Sequence, residues 1–213
     1  MLDYILELIY PTTCGFCDKI CKTGLCKRCE LKLKKYQIDL IKKHKKMSFN
    51  ESMHIFIYED LIREKIISYK FNNKAYLHKT FSKIILKNEK VCGFLKKYDI
   101  IIPVPIHKKR KLERGYNQTE LIAKEIANQT HLKLEKNILI KQKNIIPQSS
   151  LNKSEREQNI KNAFIAKNIE KIINKKILLF DDIYTTGSTA NECAKVLKKQ
   201  GAKQVGVLTI AKD

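Results

Sequence analysis

Apolar residues in the first half of the chain recur mostly at helical spacing, and in the second half they gather into short unbroken runs. The opening "MLDYILELIYP" sets Leu2, Ile5, Leu6 and Ile9 on one stripe, interrupted by Asp3 and Glu7, and predicts a short amphipathic helix with no basic lead-in of the signal-peptide kind. "ELKLKKYQIDLIKKHKKM" (residues 30–47) predicts a helix running into a basic connector. "MHIFIY" (53–58) predicts a strand, and "EDLIREKIISYKF" (59–71) a helix with Leu61, Ile62, Ile66 and Tyr69 inward. A further helix is expected over residues 75–86.

From Asp99 onward strands and helices alternate: "DIIIPVP", then helical "NQTELIAKEIANQ", then the short strand "NILIK". "KILLF" is a strand with no polar side, "STANECAKVLKKQ" a helix with Ala190, Cys193, Ala194 and Leu197 inward, and "QVGVLTI" closes the set. Strands apolar on both faces and separated by helices predict an α/β fold with a mostly parallel sheet covered on both sides. Ligands of such sheets bind beyond the carboxyl ends of the strands, so polar residues that follow a strand carry the candidate chemistry. A chain of 213 residues has room for one such core and a small annex.

The annex is written in cysteine. "CGFCDKICKTGLCKRC" carries one CxxC at Cys14 and Cys17, another at Cys26 and Cys29, and Cys21 between them. Two such knuckles supply the four soft ligands of a tetrahedral, structural Zn²⁺ site, with Cys21 as an alternative ligand. A disulfide framework competes, but five cysteines cannot all pair. Cys92 and Cys193 sit in apolar surroundings and read as core thiols.

Charge narrows the partners. The chain has 43 Lys and Arg against 22 Asp and Glu, a formal net charge of +21, which suits nucleic acid, an anionic membrane or phosphorylated ligands. Lys42, Lys43, Lys45, Lys46, Lys108, Lys109, Arg110 and Lys111, with Tyr36, Phe49 and Tyr116 as stacking partners, suit a single strand bound without sequence preference. The histidines (His44, His54, His78, His107, His131) are scattered, and His107 reads as an ordinary loop residue. No run approaches the roughly 18 apolar residues of a membrane-spanning helix, so a cytoplasmic protein is expected, with peripheral membrane attachment left open.

The sharpest signal is "KILLFDDIYTTGSTANECAKVL": strand, Asp181 and Asp182, a turn of small hydroxylated residues, then a helix. Gly187 allows the tight turn, while Thr185, Thr186, Ser188 and Thr189 offer hydroxyls beside the unpaired amides that open the helix, an arrangement that cradles a phosphate monoester. It is neither a Walker loop nor a dinucleotide GxGxxG. A phosphate cradle next to two carboxylates asks for a ligand with an anionic end and nearby hydroxyls, as in a 5-phosphorylated ribose.

This pattern resembles the phosphoribosyl pyrophosphate (PRPP) motif of type I phosphoribosyltransferases. The order of a cysteine knuckle, "PVPIHKKRKLERGYNQ", "PQSSLNKSEREQNIKNAF" and the PRPP motif is similar to the ComF family of competence-associated proteins over nearly the whole chain. The resemblance implies a type I phosphoribosyltransferase fold over residues 50–213, a zinc annex over 1–35, and PRPP bound with Mg²⁺. It also implies a role in natural transformation, handling incoming single-stranded DNA beside a competence helicase or the inner-membrane uptake machinery.

Carried over by position, Asp181 and Asp182 face the ribose hydroxyls as catalytic candidates, and Thr185, Thr186, Gly187, Ser188 and Thr189 face the 5-phosphate. Lys108, Lys109, Arg110 and Arg114, in a loop, face pyrophosphate. Where relatives carry two arginines, this chain has Lys141 and Lys143, which lack the bidentate fork, so Arg156 becomes the better pyrophosphate contact. Thr185 stands where hypoxanthine-type enzymes place an aspartate, and a glutamine-fed amidotransferase is not expected from a chain of this length without the N-terminal cysteine of a glutaminase. What the resemblance leaves is a PRPP and DNA binder or a transferase acting on an unidentified nucleobase or amine.

Overall fold

The computed structural model describes residues 11–142 and 160–213. In chain order the described elements are α1 (Lys27–Lys34), β1 (Gln37–Lys43), β2 (Glu51–Ile57), α2 (Asp60–Phe71), α3 (Leu77–Lys87), α4 (Glu89–Leu95), β3 (Ile100–Pro103) and α5 (Lys108–Arg114). They continue with α6 (Gln118–Asn128), β4 (Lys133–Leu134), β5 (Leu139–Lys141), β6 (Phe164–Ala166), β7 (Lys176–Tyr184), α7 (Ser188–Lys199) and β8 (Gln204–Lys212). Among the described residues six strands make one sheet in the order β1-β2-β8-β7-β3-β4, with β2, β8, β7, β3 and β4 mutually parallel and β1 antiparallel.

Alternation along β7 shows why the run is apolar throughout. Leu178 and Phe180 pack with α2, α3, α4 and α6 on one face, while Ile177 and Leu179 pack with α7, β5 and β6 on the other. Each such side chain is fully buried, and burial of that size contributes about 1.5–3 kcal/mol apiece. Ala190, Cys193, Ala194 and Leu197 are the inward positions of α7, as its periodicity requires. Among the described residues no helix is long and apolar enough to cross a membrane.

Several expectations are corrected. The helix expected to run from Glu30 into the basic connector stops at Lys34, and Gln37–Lys43 is an edge strand that pairs with β2 through an irregularity between Gln37 and Leu40. Its apolar Ile38, Leu40 and Ile41 read as a helix stripe, but pairing with β2 satisfies its backbone and decides the matter. The strand in "NILIK" does not join the parallel sheet; β5 pairs antiparallel with β6 as a separate ribbon. Helix α4 was not anticipated, and its start is capped by the Asn88 side chain, which accepts from the Lys90 and Val91 amides. The basic segment Lys108–Arg114 is a helix rather than a loop; His107 caps it by accepting from the Lys109 amide at 3.3 Å. Phe49 is buried at 1% exposure and offers no stacking face, and Cys92 is half-buried with its thiol donating to the Leu86 carbonyl at 3.2 Å. The helix expected at Leu2–Ile9, Lys143 and the segment holding Arg156 lie outside the described residues.

Candidate functional site

Two clusters of ionisable groups stand out, the first of them the cysteine knuckle. A bridge between Thr13 and Ile20 and a left-handed Asp18 turn the chain back, so that the Cys14 amide donates to the Lys19 carbonyl at 2.8 Å. The sulfur atoms of Cys14, Cys17, Cys26 and Cys29 lie within 4.8 Å of one another, and those of Cys17 and Cys26 are 3.7 Å apart. A tetrahedral zinc with bonds of about 2.3 Å sets sulfur–sulfur edges of about 3.8 Å, so the four thiols fit that ion and Cys21 is not needed. Burial works against thiolate at Cys14, yet the amides of Cys26, Phe16 and Cys17 hold its pKa down to about 7. Burial and the neighbouring sulfurs push Cys29 the other way, as crowded thiols without a cation must behave.

The knuckle is seated on the main fold. Phe16 packs edge-on against Phe81 of α3 at 6.0 Å, and the Thr80 hydroxyl donates to the Gly24 carbonyl at 3.2 Å. Gly15 makes the approach possible, because a Cβ there would stand 2.4 Å from that hydroxyl.

The second cluster is at the carboxyl end of β7. The strand does not stop before the acids; Asp181 pairs in register with Thr209 and the ladder continues to Tyr184. Consecutive strand residues point to opposite faces, so the two carboxylates diverge. Asp182 is 4% exposed and fully answered: Lys70 of α2 lies 2.8 Å from one oxygen, and the Gln118 amide of α6 donates to the other at 2.9 Å. Gln118 is itself held by the Arg114 guanidinium, and its carbonyl accepts from the Tyr69 hydroxyl at 2.8 Å. Asp182 thereby joins three elements.

Asp181 is half-buried and accepts from the backbone amide of Asp182 at 2.9 Å. Burial, then the adjacent Asp182 charge, push its carboxyl up to about 7 against the pull of Lys70. Lys141 shares this face. Burial and then the Arg110 charge hold its ammonium below its usual range, against the attraction of Asp181.

Beyond Tyr184 the chain turns through the hydroxyl loop. The Thr186 and Ser188 hydroxyls are 2.6 Å apart, and Thr186 also accepts from the Ser188 amide at 3.3 Å. Gly187 has φ 79°, and a Cβ on it would stand 2.4 Å from the Tyr184 hydroxyl, so both backbone and packing demand glycine. The first-turn amides of α7 have no acceptor within the helix and open onto this loop.

Of the predicted basic contacts, Lys108 and Lys109 are exposed on α5, whereas Arg110 and Arg114 are half-buried on the side toward α2 and β5. Sequence reasoning missed Lys70, since a lysine in the last turn of a helix is too common to signal anything. It also missed a chain of hydrogen bonds across the sheet: His44 Nε2 to Ser52 Oγ at 2.8 Å, Ser52 Oγ to His54 Nε2 at 2.9 Å, and His54 Nδ1 to Thr209 Oγ1 at 2.8 Å. The spacing of Ser52 and His54, two apart in a strand, was the available clue.

The phosphoribosyl transferase domain family matches residues 118–213, which contain α6, β7, the hydroxyl loop and α7. Competence protein F of Haemophilus influenzae is 28% identical over 211 residues, covering 91% of this chain and 92% of that one. Competence protein ComFC of Streptococcus pneumoniae is 33% identical over 158 residues, 74% of this chain and 66% of its own length. DNA utilization protein YhgH of Escherichia coli O6:H1 is 29% identical over 143 residues, 65% of this chain and 61% of that protein.

Proposed function

This chain belongs to the ComF family, with a phosphoribosyltransferase fold and a cysteine cluster that can hold zinc, and on that premise we propose that it binds PRPP and single-stranded DNA in natural transformation. One placement carries the reading: the half-buried Asp181 carboxyl, which accepts from the Asp182 amide, lies near the carboxyl end of β7, four residues before the Thr185–Thr189 loop whose amides open α7. The loop takes the 5-phosphate, and Asp181 accepts from the ribose hydroxyls. Asp182 holds the frame through Lys70 and Gln118 and reaches the sugar only if that frame opens. Arg110, Arg114, Lys108 and Lys109 meet the pyrophosphate, joined by Arg156. Mg²⁺ accompanies the pyrophosphate and neutralises its charge when bound, with Asp181 the carboxylate that fits it.

The chain is organised as the annex 1–35 and the phosphoribosyltransferase-like domain 50–213, with Zn²⁺ structural in the annex. It acts in the cytoplasm, peripherally at the inner membrane. The net charge of +21 and relatives named for competence and DNA utilization support the DNA half of this reading. Calorimetry on metal-replete full-length protein tests the PRPP half. PRPP with Mg²⁺ should bind, and Asp181→Asn should weaken it about tenfold, the loss of one charge-assisted hydrogen bond. Absence of any PRPP uptake by the parent protein defeats the proposal, and sustained pyrophosphate release with a ribosylated product would convert the binder into a transferase.

A further inference from the structure

The end of α2 and the face of α5 border an open pocket of about 380 Å³, lined by Lys70, Phe71, Asn73, Arg110, Glu113 and Arg114. Phe71 is 70% exposed, the more conspicuous because two of the three aromatics expected to stack on DNA are otherwise engaged. Phe49 is buried, and Tyr116 is stacked on Tyr69 at 5.7 Å with its hydroxyl donating to the Tyr69 carbonyl. The Arg114 guanidinium stands 5.2 Å from the Phe71 ring centroid, so a cation flanks the ring while most of its surface is open.

We infer that Phe71 is a stacking seat for one unpaired base of a single-stranded nucleic acid, gripped between the end of α2 and α5; this rests on the DNA-binding reading above. Three observations converge on that occupant. The wall is cationic, with Arg110 and Arg114 against the single carboxylate of Glu113 while Lys70 answers Asp182, which suits a chain of phosphates. The aromatic lies on the rim and not at the base of an enclosed slot, so a ring lying on it keeps its backbone in solvent. The seat also adjoins the β7 site, because Lys70, next to Phe71 in sequence, is the cation that holds Asp182. Glu113 offers an acceptor to an exocyclic amino group, while stacking itself tolerates every base.

The chain contains no tryptophan, so Phe71→Trp places a single fluorophore in the seat. Full-length, metal-replete protein is titrated at low salt with a twelve-residue oligothymidylate and with an abasic strand of equal length and charge, following both anisotropy and tryptophan emission. The oligothymidylate should quench the emission and the abasic strand should bind without quenching. Phe71→Ala should lower oligothymidylate affinity about tenfold, leave the abasic strand unaffected, and leave PRPP binding intact. Equal quenching by both strands, or undiminished affinity of Phe71→Ala for oligothymidylate, overturns the seat while leaving DNA binding in place. No binding of either strand by the parent protein removes both the seat and the DNA reading. Saturating quenching by free thymine at matched concentration assigns the pocket to a free base and overturns the strand as occupant.

Discussion

The cysteine knuckle and the end of β7 both gather groups that ionise to anions, and they differ in what answers the charge. At β7 the protein supplies its own cation: Lys70 and the Gln118 amide close on Asp182, and the acid becomes a joint between α2, α6 and the sheet. In the knuckle four sulfurs converge within 4.8 Å of one another, and a bound cation such as zinc would supply the charge that lets them all ionise. A self-answered cluster is part of the fold at all times, whereas an externally answered one makes the fold conditional. Asp181 shows a third state, a half-buried carboxyl beside an answered one, whose hydrogen bond comes from the neighbouring backbone amide.

Metal removal should give the largest effect and tests the contrast most directly. Phe16, Leu25 and Leu33 share one apolar cluster with Leu77 and Phe81, so loss of the knuckle exposes part of the main core. Chelation should cost at least ~3 kcal/mol and lower the melting temperature by about 10 °C, with four thiols becoming reactive together. An unchanged melting temperature in protein shown by mass spectrometry to be metal-free would erase the distinction between the clusters.

Lys70→Met comes next. It leaves the Asp182 charge buried without its cation, which should cost about 3 kcal/mol in denaturant unfolding. Adding Asp182→Asn to the same background should recover much of that loss, because the uncompensated charge goes with it. If the single variant were as stable as the parent, Asp182 would not be the joint described here.

A smaller effect comes from His54, a buried group answered by hydrogen bonds alone. Burial first, then the Lys212 charge, hold its pKa down to about 4. The unfolded chain takes up a proton near pH 6.5 that the folded chain refuses until about pH 4. The unfolded state therefore binds more protons across that window, and stability should fall as pH drops through it, by at most about 1.4 kcal/mol per pH unit. His54→Gln should flatten that part of the stability–pH curve; an unaltered slope would assign it to other groups.

How far the fold was legible depended on how local its cause is. The run Ile177–Phe180, the helix beginning at Ser188 and the inward set Ala190, Cys193, Ala194 and Leu197 all follow from spacing within a few residues, and they were readable. Segment 37–43 was not, because its apolar spacing fits helix or strand and only pairing with β2 chooses. The same limit hid the separate β5–β6 ribbon, the helical form of Lys108–Arg114 and the hydrogen-bonded row from His44 to Thr209.

By itself the sequence determined the parallel α/β class, the four thiols of the annex and the position of the hydroxyl-rich loop before α7, since each is encoded in short-range periodicity or spacing. Only the tertiary structure decided which of two adjacent aspartates is neutralised, and which aromatics are free to meet a ligand. Those outcomes depend on Lys70, Gln118 and Asp182 arriving together from remote parts of the chain, and on Phe49 being covered while Phe71 is left at the rim. No pattern along the chain records such meetings, because they exist only once the sheet has brought its helices to the same edge.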